Sequence, residues 1–150
     1  MEIVIGIGEY FISNREDDVI KTYGLGSCVA VSMYSPARRV LGLVHIALPN
    51  SKTAGSVAVN RPGHYVDTAI PLLFHKLEGK YNCLMGELVV NVYGGADSTL
   101  RGDVFQIGRK NVEAVKNKLA KYHISPREVD TGGNVGRNIE AYVATGEIRL

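Results

Sequence analysis

Cys28-Val-Ala-Val-Ser-Met-Tyr34 and Val40-Leu-Gly-Leu-Val-His-Ile-Ala-Leu48, joined by Ser35-Pro-Ala-Arg-Arg39, decide how this chain is read. Both segments are short, apolar or β-branched, and bounded by turn chemistry, which is the pattern of strands. The short SPARR connection makes them a hairpin. Pairing in that hairpin brings positions near 28 and 45 toward the same end of one sheet.

Working outward, residues 3–11 (IVIGIGEYF) read as a strand, with Asn14 as turn chemistry beyond it. Residues 51–64 carry two glycines, a proline and little periodicity, and read as a loop long enough to cover a site. Val66, Ala69, Ile70, Leu73 and Leu77 share one helical face that stops at Gly79. Pro71 lies inside that stretch and predicts a kink or an irregular first half. Residues 87–93 alternate as a strand into Gly94-Gly95-Ala96, and 97–107 read as irregular. Val112, Val115, Leu119 and Tyr122 place a second helix over 109–122. Late strands are predicted at about 127–131, 137–144 and 147–150. Strands outnumber helices with little strand-helix-strand alternation, so the fold class is α+β: a layered sandwich of mixed or antiparallel sheet with two to three helices packed outside. No linker or repeat divides the chain, and residues 1–150 read as one domain.

Composition narrows the function. The chain has 150 residues, 45% of them hydrophobic, enough to form a core without staples. Seventeen basic residues against fifteen acidic ones leave a net charge of +2. Nucleic-acid binding is therefore disfavoured, because phosphate affinity comes from clustered Lys and Arg. No apolar run approaches the roughly 20 residues that cross a bilayer. The opening MEIVIGIGEYF lacks a basic leader region, so a cytoplasmic protein is expected. The cysteines, Cys28 and Cys83, have no CxxC spacing, which disfavours a zinc site and leaves two free thiols.

Thr22-Tyr-Gly-Leu-Gly-Ser-Cys28 sets two glycines before a thiol that opens a strand. A nucleophile needs such a turn, because it must stand proud beside backbone N–H groups able to hold an oxyanion. Gly26 and Ser27 are the candidate donors. Packing is the competing reading of Cys28, as it is the reading of Cys83. His45 sits between Val44 and Ile46 in the partner strand. There an imidazole can lower a thiol's pKa and protonate a leaving amine, although a satisfied core histidine would look the same. His64, His75 and His123 fall on a loop, a helix and a helix end and read as solvent-facing or capping. Thr22, Asp67 and Asp130 are each reasonable partners for the imidazole, and spacing does not choose among them.

Several stretches together resemble the CheD family of chemoreceptor glutamine deamidases. They are VIGIGEY at 4–10, TYGLGSCV at 22–29, HIALP at 45–49, PGHYVDTAI at 62–70, Gly94-Gly95-Ala96, Ile107-Gly-Arg-Lys-Asn111 and DTGGNVGR at 130–137. The resemblance implies a cysteine-dependent amidohydrolase that uses Cys28 as nucleophile, His45 as acid and base, and Thr22 to orient His45. It implies receptor glutamines as substrate, glutamate and ammonia as products, no cofactor, and the phosphatase CheC as a possible partner. A Cys-His pair equally supports proteolysis or transamidation, and a module that only binds receptor or CheC is the alternative from another class.

Overall fold

A computed structural model describes residues 1–52, 54–97 and 106–150. The hairpin forms as expected: β4 (Val29–Ser35) and β5 (Val40–Ile46) pair antiparallel, with Ala30 opposite His45. Every residue of both strands is buried. That explains their largely apolar sequence, broken only by Ser32, Ser35 and His45, since a sheet covered on both faces has no polar side to show.

Two mixed sheets and a helical layer are stacked around this hairpin. One sheet runs β2 (Tyr10–Ser13), β5, β4, β6 (Val89–Gly94) and β7 (Glu128–Thr131). The other runs β1 (Glu2–Val4), β3 (Val19–Leu25), β8 (Arg137–Tyr142) and β9 (Ile148–Arg149). Val29, Val31, Met33, Val90 and Val92 point toward α2 (Val66–Gly79) and α3 (Ile107–Lys121), packing on Ile70, Leu73, Leu77, Val115 and Leu119. Ala30, Tyr34, Leu41, Leu43 and Tyr93 point the other way, against Ile20, Leu25, Ile139 and Ala141 of the second sheet. The period of two along each strand thus feeds two separate cores from one sheet. The layered α+β arrangement matches the expectation from sequence.

The local structure departs from the sequence reading at several points. The strand over 3–11 is two strands, β1 and β2, belonging to different sheets. Gly8 adopts a φ of 79°, and there the chain crosses from one sheet to the other. Residues 19–25 form a strand that composition hides: Lys21 and the Tyr23-Gly24 bulge interrupt its apolar pattern, and only Ile20, Thr22 and Leu25 face inward. The covering loop contains a short helix, α1 (Ser56–Asn60), and a 3-10 turn at Pro62–His64. α2 is helical from Val66 onward with Pro71 inside it. Thr68 steadies that first turn by donating its hydroxyl toward the Pro62 and Tyr65 carbonyls. The irregular stretch expected at 97–107 lies, for 98–105, outside the described residues.

Leu43 is wholly buried between the two sheets. Leu43→Ala should cost about 2–5 kcal/mol by removing transfer energy and leaving a cavity. Urea unfolding should show this as a lower midpoint at unchanged m-value; a loss below about 1 kcal/mol would mean the inter-sheet layer collapses around the gap.

Candidate active site

The seam between the sheets carries polar groups at one end. Thr22 from β3 and His45 from β5 are both buried, and Thr22 Oγ1 lies 2.7 Å from His45 Nδ1. The same hydroxyl donates to the Ile5 carbonyl at 2.9 Å. A threonine hydroxyl has one hydrogen, and a carbonyl can only accept. Nδ1 must therefore carry the ring proton and donate it to Thr22, which leaves Nε2 as a bare lone pair in neutral His45. Nε2 is buried and has no hydrogen-bond partner among the described residues. The backbone fixes the ring from behind: Gly8 N–H donates to the His45 carbonyl at 2.7 Å, and His45 N–H donates to the Glu9 carbonyl at 3.1 Å.

Cys28 is one residue outside β4 and shares the inter-sheet face of Ala30, whose cross-strand neighbour is His45. Diagonal neighbours on one face of an antiparallel pair lie within reach of longer side chains. The thiol is free and half-buried. Of the three proposed imidazole partners, Thr22 alone meets the ring. Asp67 starts α2 and accepts a hydrogen bond from Ser51 at 2.8 Å, and Asp130 faces Arg137 at 3.3 Å.

The turn before Cys28 is curled, with Gly24 at a φ of 67°. Gly26 N–H donates back to the Gly24 carbonyl at 2.9 Å, so Gly26 does not offer a free donor as the sequence suggested. Among the described residues, neither Ser27 N–H nor Cys28 N–H donates to any acceptor. Three consecutive carbonyls are taken from the opposite side. Ala96 N–H donates to Gly26 and Gly95 N–H to Cys28, both at 2.8 Å, and Asn111 Nδ2 donates to Ser27 at 2.9 Å. Gly94 is required here, because a Cβ at that position would collide with the Cys28 carbonyl.

Burial sets the protonation of the pair. It pushes the Cys28 thiol above its usual value and His45 below its own, with nearby His64 adding to the latter. The sequence pointed to a lowered thiol; in the structure burial raises it, and among the described residues no acceptor reaches Nε2. Burial thus favours the neutral form of both the thiol and the imidazole. His64 also departs from expectation. It is half-buried with Nδ1 unpartnered, while His75 and His123 are exposed as anticipated. Cys83 is packed in the helix-side core.

The family model for CheD chemotactic sensory transduction matches residues 47–150. The chain belongs to the CheD family. A relative from Syntrophotalea carbinolica, named probable chemoreceptor glutamine deamidase CheD, is 39% identical over 99% of this chain and 93% of its own length. One from Thermotoga maritima, named chemoreceptor glutamine deamidase CheD, is 40% identical over 99% of this chain and 90% of its own. A Thermococcus kodakarensis relative is 38% identical across 100% and 92% respectively. These alignments span the Thr22–His45 segment that precedes the matched part of the family model. Among solved structures, the Bacillus licheniformis hypothetical protein YfiH superposes with a TM-score of 0.51 at 9% identity. It covers 83% of this chain, which spans 51% of that protein, and the likeness is one of fold.

Asn111 was quoted from sequence only as part of a motif. The signal that could have found it is an asparagine on the same helical stripe as Gly108, Val115 and Leu119, all buried.

In neutral His45, two-bond nitrogen-proton spectra should show the proton on Nδ1, with a midpoint below 6.5. Thr22→Val should release that preference, and a parent ring protonated on Nε2 would contradict the assignment. The sign for stability follows from the same depression. Below about pH 6.5 the unfolded chain binds a proton that the folded chain resists, so His45 lowers stability as pH falls through that window and has no effect above it.

Proposed function

We propose that this chain is a protein-glutamine deamidase acting on chemotaxis receptors, with Cys28 as nucleophile, His45 as general base and acid, and Thr22 as the group that orients His45. The observation that carries the reading is the tautomer fixed by Thr22, because it leaves the Nε2 lone pair in a dry seam on the thiol's face. The names of the curated relatives support the substrate class.

In this reading Cys28 Sγ attacks the carboxamide carbon of a receptor glutamine while its proton passes to His45 Nε2. The tetrahedral oxyanion is held by the unpartnered Ser27 and Cys28 N–H groups. The imidazolium then returns the proton to the departing nitrogen, ammonia leaves, and a thioester remains. Water, deprotonated by Nε2, splits the thioester to glutamate and restores the thiol. A neutral resting pair suits this order, since the proton moves only when the carbonyl carbon is in place. Thr22 keeps Nδ1 protonated throughout and steadies the imidazolium.

Replacing an amide by a carboxylate adds a charge to the receptor and so biases its signalling state. The proposal includes residues 1–150 acting as one catalytic domain in the cytoplasm. Engagement of CheC belongs to it through the family resemblance rather than through any surface feature.

The test incubates the parent, Cys28→Ala and His45→Ala with a receptor cytoplasmic fragment and maps glutamine-to-glutamate mass changes. Site-specific conversion by the parent is expected. Cys28→Ala should abolish it, and His45→Ala should slow it by at least about 100-fold. Cleaved chains would indicate a protease, and incorporated amines a transglutaminase. Conversion that survives Cys28→Ala would remove the thiol from the mechanism. The acid limb of kcat/KM should fall below pH 6.5, where burial has moved His45.

A further inference from the structure

We infer that Asn111 is a positioning residue that orients the Ser27–Cys28 peptide so that Cys28 N–H faces the oxyanion. The inference rests on the deamidase reading above. Asn111 is fully buried in the first turns of α3, and its Nδ2 donates to two carbonyls at once, Ser27 and Ala47, each at 2.9 Å. These carbonyls lie 84 and 64 residues away in sequence, one preceding the thiol and the other following the His45 strand. A planar peptide points its carbonyl and its N–H in opposite directions. Holding the Ser27 carbonyl toward α3 therefore turns Cys28 N–H away from α3, and that N–H has no acceptor among the described residues. The preceding peptide obeys the same logic, because Ala96 N–H holds the Gly26 carbonyl and turns Ser27 N–H outward.

Close packing gives Asn111 its reach. A Cβ on Gly108 would lie 2.7 Å from the Gly95 carbonyl oxygen, and one on Gly95 would lie 2.9 Å from the Gly108 carbonyl oxygen. The first turn of α3 thus rests directly on the Gly94–Ala96 segment that grips the nucleophile loop. The second bond, to Ala47, ties the same amide to the end of β5 and so fixes the loop relative to His45. Asn111 Oδ1 is buried without a partner among the described residues. A side chain retained for packing alone would be better served by an apolar residue of that size.

The experiment separates two chemistries of Cys28. Deamidation passes through an oxyanion, whereas alkylation by iodoacetamide is a displacement at carbon that needs no such donor. Asn111→Ala, and Asn111→Leu as a version that keeps the volume filled, should lower kcat for ammonia release at least about 30-fold with KM within threefold. The rate of Cys28 alkylation should remain within about threefold of the parent. Parallel loss of both rates would mean that the substitution merely loosens the site, and retention of kcat would mean that the amide does not matter; either result overturns the inference. A parent that releases no ammonia overturns the deamidase reading instead. Independently of how the variants fold, the Asn111 side-chain NH2 of the parent should exchange slowly with solvent in nitrogen-edited spectra, and prompt exchange would overturn the clamp.

Discussion

One hydrogen bond, from His45 Nδ1 to Thr22 Oγ1, joins the two sheets at the end of their shared core. Much else depends on its direction. Because the Ile5 carbonyl takes the threonine hydrogen, the imidazole has one available tautomer, and that tautomer exposes a base on the face shared with Cys28. Tertiary structure supplies all three members: Ile5 follows β1, Thr22 belongs to β3, and His45 to β5. The parallel pairing of β1 with β3 puts Ile5 beside Thr22, and the stacking of the sheets puts both over His45. A slip of one residue in β3 would turn Thr22 to the other face and leave the ring without an orienting group. The bulge at Tyr23-Gly24 lies immediately beyond this point, so the irregularity that curls the nucleophile loop begins only after Thr22 is set.

The hairpin was legible because a sheet covered on both faces demands largely apolar strands, and 28–34 and 40–48 supply two. The two long helices were legible for a related reason, as each buries one face at a spacing that sequence displays. β3 was not legible, since its inward positions include a polar residue placed there for hydrogen bonding rather than for burial of apolar surface. The split of β1 from β2 was hidden for another reason. Glycines inside an apolar stretch look the same whether the chain continues or crosses between sheets, and only pairing partners distinguish the cases.

At the site, residue types pointed to Cys28 and His45, while the imidazole's partner remained one of three until the sheets were stacked. Gly26 was a reasonable oxyanion donor by position, yet the direction of an N–H depends on what holds the neighbouring carbonyl. That information comes from Gly95, Ala96 and Asn111, far along the chain. Motifs that looked separate in sequence therefore form one device: the glycines at 94, 95 and 108 allow the approach, and Asn111 and two backbone amides convert it into an orientation.

Burial acts on both members of the pair and favours their neutral forms. A thiolate is the species that oxidants and stray electrophiles attack, and burial, by raising the Cys28 thiol, disfavours that form. In the proposed mechanism the same desolvation raises the energy of the sulfur as a nucleophile once its proton has moved to His45 Nε2, which has no partner among the described residues. In the proposed mechanism activation falls to the substrate: a glutamine side chain filling the mouth of the seam would exclude the remaining water and present its carbonyl oxygen to Ser27 and Cys28 N–H, so that attack and proton transfer become favourable together. On the proposed mechanism selectivity would follow from this coupling, because a small molecule that reaches the sulfur without engaging those amides would meet a thiol, whereas a carboxamide that engages them would meet an assembled catalyst.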